Sequence, residues 1–335
     1  MMDYLRGAGF AALAVIVSAC VPMERGISRD TIAASQTNVQ APESSRPLTV
    51  AFIGDQGLGR KARAVLQLIV AEGADVVLHQ GDLDYRNDPA AWDALITEIL
   101  GADFPVFASV GNHDERRWYG PNGYQQKLQA RLDRIGDATC SGDLGVQSAC
   151  TFRGLFFILS GAGTIPDEPD HPDHVAYLRD QLAQTDAIWR ICSWHKNQHL
   201  MQVGRKSDEV GWQPYEACRE GGAIVATAHE HSYSRSHLMD NFKTQSIAST
   251  SDTLVVEEGK SFVFVSGLGG NSIRRQRRDD PWWASVYARD QDADAGAFFC
   301  DFFVDGEPNR ASCYFKDIDG KVPDRFELIN AVKVS

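Results

Sequence analysis

Three short apolar runs early in the chain each stop at a glycine followed by a polar residue, and this repetition limits the possible folds more than any other feature. Leu48–Ile53 leads into Gly54-Asp55, Val76–Leu78 into Gly81-Asp82, and Val106–Val110 into Gly111-Asn112. The stretches between them read as helix. Ala64, Leu68 and Ala71 share one face of the first. Asp88 followed by Pro89 marks the start of the second, since an aspartate oxygen satisfies free amides and proline has none to satisfy. Short buried strands alternating with helices pair in parallel through right-handed crossovers. In such sheets ligands collect beyond the carboxyl ends of the strands, where Asp55, Asp82 and Asn112 stand.

The pattern continues with a helix predicted over Tyr124–Arg134 and a strand over Leu155–Leu159. A helix follows over His174–Gln184. Ile188–Ser193 and Ala223–Thr227 are further predicted strands, each followed by a histidine, His195 and His229. Beyond Tyr233 strands dominate, over Phe262–Val265, Ala297–Val304 and Ser312–Phe315. No internal repeat or domain-scale linker follows Pro47. The expectation is one α/β domain over residues 48–335, with two sheets packed face to face and helices outside. Its composition, 43% hydrophobic and 23% charged, is that of a globular chain. A formal charge of −12 argues against nucleic acid as a partner.

Five segments carry the chemistry: Gly54-Asp55-Gln56-Gly57, Gly81-Asp82-Leu83-Asp84-Tyr85, Gly111-Asn112-His113-Asp114, Trp194-His195 and His229-Glu230-His231. Singly, a Gly-Asp after a strand is a turn and a lone histidine is ordinary. His-x-His is stronger, because alternation puts both rings on one face, within reach of one metal centre. Together the strand ends supply an oxygen-and-nitrogen donor set suited to Fe, Zn or Mn.

In this order the motifs resemble those of the calcineurin-like metallophosphoesterases, over roughly residues 48–235, with Gly267-Leu268-Gly269-Gly270 as a further likeness. The resemblance implies a four-layer αββα sandwich of two mixed sheets with flanking helices. Gly57 stands where the family has a ligating histidine, and Tyr85 offers a phenolate instead; the paired change resembles the purple acid phosphatase branch. Ala228 replaces the glycine usual before His-x-His. The resemblance implies that Asp55, Tyr85 and His231 bind one metal, that Asn112, His195 and His229 bind a second, and that Asp82 bridges. A ferric ion beside a divalent one (Zn, Fe or Mn) leaves about +1 after two aspartates, a tyrosinate and a hydroxide, whereas two divalent ions leave about zero. It further implies phosphoester hydrolysis by a metal-activated hydroxide, phosphomonoesters first, on a small phosphorylated substrate. His113 would face that substrate, and Asp114 would orient its imidazole or serve as a turn residue. A phosphodiesterase or nucleotide hydrolase on the same core is the alternative, and a non-catalytic metal-binding lipoprotein a third.

Around the rim, Lys196 and His199 are candidate phosphate contacts, against a solvated loop. Tyr233 and Arg235, and Arg116 and Arg117, stand at the same even choice. Arg274, Arg275, Arg277 and Arg278 form the densest basic cluster, which Asp279 and Asp280 make a self-neutralised surface loop in preference to a guide for anions. Asp84 is expected to face solvent or to back a ligand. Residues 1–20 read as a signal peptide whose Val17-Ser18-Ala19-Cys20 resembles a lipobox, with Cys20 acylated, or as an ordinary cleavable signal. Residues 21–47 read as a flexible tether, so the chain is expected to be exported, to the cell envelope. Six cysteines remain, an even number suited to export. Cys300 and Cys313 flank a turn, Cys140 and Cys150 bracket a glycine-rich loop, and Cys192 and Cys218 are left over; buried free thiols are the other reading for all three couples.

Overall fold

The structure is a computed structural model, and it describes residues 46–167 and 173–333. The signal peptide, the tether and Cys20 lie outside the described residues.

The first half alternates as expected: β1 (Leu48–Ile53), α1 (Arg60–Ala71), β2 (Val76–His79), α2 (Pro89–Ile99), β3 (Val106–Ala108), α3 (Glu115–Trp118) and α4 (Tyr124–Leu132). A hairpin follows, β4 (Ala138–Asp143) and β5 (Gln147–Phe152), then β6 (Leu155–Ser160), α5 (His174–Gln184), β7 (Trp189–Ser193), α6 (Gln213–Glu220) and β8 (Ile224–Thr227). The rest is strand: β9 (Tyr233–Ser236), β10 (Leu238–Asn241), β11 (Ser246–Ser249), β12 (Thr253–Val256), β13 (Val263–Ser266), β14 (Trp283–Tyr287), β15 (Gly296–Phe302), β16 (Arg310–Asp317) and β17 (Asp324–Asn330).

These strands make two large mixed sheets. One runs β12-β17-β16-β15-β1-β2-β3, the other β14-β9-β13-β8-β7-β6-β5-β4. β1, β2 and β3 pair in parallel, as do β6, β7, β8 and β13. Aromatic rings from one sheet meet those of the other: Phe52 meets Phe264 at 5.1 Å, Phe107 meets Phe157 at 5.1 Å, and Phe264 meets Phe298 at 4.4 Å. The main core lies between the sheets. A second core joins α5 and α6 (Leu178, Leu182, Tyr215, Cys218) to the outer face of the second sheet (Ile158, Cys192, Val225).

Helix α1 buries Ala62, Val65, Leu66 and Ile69, not the expected Ala64, Leu68 and Ala71. Both sets have helical spacing, but the observed one carries far more apolar area, and area decides which face turns inward. Asp88 caps α2, its carboxylate accepting from the Ala91 N–H at 3.0 Å.

All three cysteine couples are disulfides: Cys140–Cys150, Cys192–Cys218 and Cys300–Cys313. Two of them join residues directly opposite each other in antiparallel pairs. Three bridges mark a chain matured in an oxidising compartment. Among the described residues no helix is long and apolar enough to cross a membrane.

Candidate metal centre

The loops after β1, β2 and β3 are laced together before any side chain is considered. The N–H groups of Asp55, Gln56 and Gly57 donate to the carbonyls of Gly81, Asp82 and Leu83. Asp114 ties in the third loop: its carboxylate accepts from the N–H groups of Gly111, Asp82 and Leu83 at 2.8–2.9 Å. Gly111 crosses the second loop so closely that a Cβ there would collide with the Asp82 backbone and carboxylate. From the other sheet, the His229 N–H donates to Asp55 Oδ2 at 2.8 Å. Asp55, Asp82, Tyr85 and His229 all hold positive φ, between 57° and 65°. Such backbone is strained for these residue types, and strain of this kind gathers where structure serves a site.

Two groups of donors result. In the first, Tyr85 Oη is 2.6 Å from Asp55 Oδ1 and 3.1 Å from His231 Nε2, and His231 Nε2 is 3.2 Å from Asp55 Oδ1. In the second, His195 Nε2 is 3.3 Å from Asp82 Oδ2 and 3.0 Å from His229 Nδ1. The ligand atoms of Asp82, His195 and His229 all lie within 4.8 Å of one another. Each imidazole is oriented from behind: His195 Nδ1 donates to the Gln80 carbonyl at 2.7 Å, and His231 Nδ1 meets the Ser272 carbonyl at 3.0 Å. That leaves Nε2 of both rings facing inward, the usual arrangement behind a metal-binding histidine. His229 is turned the other way, with Nε2 2.8 Å from Glu209 Oε2.

These residues fit a pair of cations. The Asn112 side-chain oxygen is buried without a hydrogen-bond partner among the described residues, an expensive state unless an electrophile faces it. Burial opposes ionisation of Asp55 and Asp82, but His231 beside one and His195 beside the other hold both below the usual carboxylate range. Burial also works against a charged His195, yet Asp82 outweighs it and pushes the ring up to about 9. His229 is driven down by burial, by His195 and by Lys206. Burial, Asp55 and Asp82 raise the Tyr85 pKa, so protein groups alone keep the phenol protonated. A highly charged cation at the oxygen is what reverses that.

A family model described as calcineurin-like phosphoesterase matches residues 48–233, more than half of the chain. The chain belongs to that family. No curated protein matches its sequence. Among solved structures, the chain resembles purple acid phosphatase PPD1 from seeds of yellow lupin, Lupinus luteus, with a TM-score of 0.61 at 17% identity. That likeness covers 85% of this chain and 54% of the lupin chain, so the chain spans about half of the length of the structure it matches. It also resembles GAP50, the anchor in the inner membrane complex of Plasmodium, with a TM-score of 0.57 at 14% identity over 86% of this chain and 91% of that one. At these identities the likeness is one of fold. The family typically holds a dimetal centre, and the buried Asp82, His195 and His229 can hold an ion here.

The remaining expected residues divide. His113 is exposed, its ring 4.6 Å from that of Tyr85 and its N–H donating to Asp82 Oδ1 at 2.9 Å. Asp114 serves the loops: both its oxygens are taken by backbone amides rather than by the His113 ring. Lys196 pairs with Glu209 at 3.3 Å, which places it beside His229. His199 contacts Gln198 and Gln202, and among the described residues no contact joins it to the donor groups. Arg116 and Arg117 are exposed on α3. Asp84 is buried, not solvent-facing, and accepts from the N–H groups of Arg86, Asn87 and Asp88. Arg235 and Tyr233 are buried between the sheets on Asp324, at 2.7 Å each, and so are not rim residues. Lys206, Glu209 and Ser272 were not legible as site residues. They lie on loops without periodicity, and only the fold brings them to His229 and His231.

Proposed function

We propose that the chain hydrolyses phosphoesters, phosphomonoesters first, at a dimetal centre. In this reading Asp55, Tyr85 and His231 would hold Fe(III), Asn112, His195 and His229 would hold a divalent Zn, Fe or Mn ion, and Asp82 would serve both. The observation that supports it is the approach of Asp55, Tyr85 and His231 to one another and of Asp82, His195 and His229 to one another, with the Asn112 side-chain oxygen buried and without a partner among the described residues. Bound there, the two ions would polarise the phosphoryl group and lower the pKa of water. The chain's own residues orient the imidazoles through Gln80, Ser272 and Glu209 and keep both aspartates ionised. His113, exposed beside Tyr85, is placed to donate a hydrogen bond to the leaving-group oxygen. Lys196 and Lys206 would add positive charge on the His229 side. Lys196 is the favoured phosphate contact of the two rim candidates, because His199 has no contact with the donor groups among the described residues.

The test pairs metal analysis and an optical spectrum with assays on 4-nitrophenyl phosphate and bis(4-nitrophenyl) phosphate. The expected result is one iron and one divalent ion per chain, a visible band lost in Tyr85→Phe, and faster turnover of the monoester. A colourless two-zinc protein removes the ferric assignment, and turnover of the diester alone transfers the reading to a phosphodiesterase or nucleotide hydrolase. The likeness to GAP50, an anchor, favours a non-catalytic envelope protein as the second reading, for which full metal occupancy without hydrolysis would decide. We also propose residues 48–335 as the catalytic domain of an exported chain, behind a signal peptide (1–20) and a tether (21–47), held by lipid on Cys20. Retention of a Cys20→Ser variant in the membrane fraction would refute the anchor.

A further inference from the structure

The arginine cluster that reads in sequence as a self-neutralised loop is, in the fold, one wall of a cavity beside the metal-binding histidines. The cavity measures about 540 Å³, within the range of roughly 300–1,000 Å³ usual for small-molecule sites. Six cations line it, Arg205, Lys206, Arg274, Arg275, Arg277 and Arg289, against a single carboxylate, Glu230. Its inner end reaches the donor groups: Lys206 Nζ lies 2.8 Å from both ring nitrogens of His229, and Ser272 Oγ lies 2.8 Å from His231 Nδ1. The two loops that form its walls are joined by backbone hydrogen bonds. The N–H of Arg277 donates to the Val203 carbonyl at 2.7 Å, and that of Arg274 to the His231 carbonyl at 2.9 Å.

The ion pairs are unevenly distributed. Arg275 is held by Asp290 at 2.6 Å, and Arg274 faces Glu230 at 3.6 Å. Arg205 and Arg277 have no carboxylate partner among the described residues. The cavity adjoins a second one of about 1010 Å³ that shares Arg205 and Arg277 and adds Arg278 together with Asp279 and Asp290, so the excess of positive charge is greatest in the first. On a chain of net charge −12, that concentration runs against the molecule as a whole. Cations grouped in this way repel one another until an anion sits among them. Guanidinium groups match phosphate oxygens two at a time. A phosphoryl group bound at the dimetal centre would leave Arg205 and Arg277 uncompensated.

We propose that this cavity is a subsite for a second phosphoryl group, so that the preferred substrates are phosphoesters carrying another phosphate beyond the one hydrolysed. The inference rests on the hydrolase reading for its consequence in turnover, but not for binding. On the metal-loaded full chain, kcat/KM is measured for adenosine 3′,5′-bisphosphate and for adenosine 3′-monophosphate. Calorimetry measures the binding of inorganic pyrophosphate and orthophosphate. The expected result is a preference for the bisphosphate, and tighter binding of pyrophosphate, that both fall about tenfold or more in Arg205→Ala/Arg277→Ala, as loss of charge-assisted hydrogen bonds implies. Both positions are exposed, so the double variant keeps the fold. Equal handling of the two adenosine substrates, or pyrophosphate and orthophosphate weakened alike in the variant, overturns the subsite. Absence of all hydrolysis would instead overturn the hydrolase reading, and the pyrophosphate measurement then judges the subsite alone.

Discussion

His113 and His79 are both imidazoles near the candidate centre, and their surroundings give them opposite tasks. His113 is exposed at the mouth beside Tyr85, free to meet a ligand. If it donates to the leaving group, His113→Ala should lower kcat by roughly 10²–10⁴-fold with metal content unchanged. Steady-state kinetics with element analysis checks both halves. His79 is sealed at the end of β2, where Nδ1 accepts from the Gly81 N–H at 3.1 Å and Nε2 is buried without a partner among the described residues. Burial is the main cause that lowers its pKa to about 3, against about 6.5 in an unfolded chain. Between those values the unfolded state binds a proton that the native state refuses, so stability declines as pH falls from about 6.5 toward 3. His79→Gln keeps an acceptor for Gly81 without a titrating ring. It should flatten the pH dependence of urea unfolding in that window, and an unchanged slope would contradict the buried neutral ring.

At the scale of elements, the site depends on loops that have no core of their own. Asp114 supplies the missing cohesion by accepting three backbone N–H groups from two loops. Asp114→Ala would leave those donors buried and unmet, at about 1–3 kcal/mol for each. The expected outcome is a lower Tm together with partial loss of bound metal, read by calorimetry and element analysis. A variant with native Tm and full metal would show that the loops hold without the clamp. How far such elements can be read from sequence depends on what they bury. β1, β2, β7 and β8 are largely apolar and are followed by polar residues, so both the strands and the donors beyond their tips are visible in the chain. The α5 bounds are visible for a similar reason, since its start and its apolar spacing agree. The β4–β5 hairpin, α6 and the β10–β11 hairpin are not: polar residues interrupt any apolar run, and neighbours distant in sequence decide their state. The partners behind the donors were illegible for the same cause. Nothing local distinguishes Glu209 or Lys206 from any other charge on a loop, and the Arg235 that follows His-x-His reads equally as rim or interior until β17 supplies Asp324.

At the scale of the molecule, that pair joins the sheets. Arg235 on β9 donates to Asp324 on β17 through Nε at 2.7 Å and Nη2 at 2.9 Å, and its guanidinium lies 3.9 Å above the Phe326 ring. Tyr233 Oη donates to the same carboxylate at 2.7 Å. Asp324→Ala would strand a buried guanidinium and a buried phenol, and should cost about 3–5 kcal/mol. Denaturant unfolding measures it. A loss below about 1 kcal/mol, the value of an exposed pair, would mean that water reaches the joint.

β1 lies between β2 and β15, with Phe52 opposite Phe298. Asp55 therefore leaves the ribosome well before β15, the strand that walls in its own strand. Pairings between such distant segments form late. Until β15 docks, a growing chain would carry the donors without the frame that holds them. For the proposed dimetal centre, capture would belong to wherever β15 docks on β1, and the metals supplied in that compartment would choose the ions.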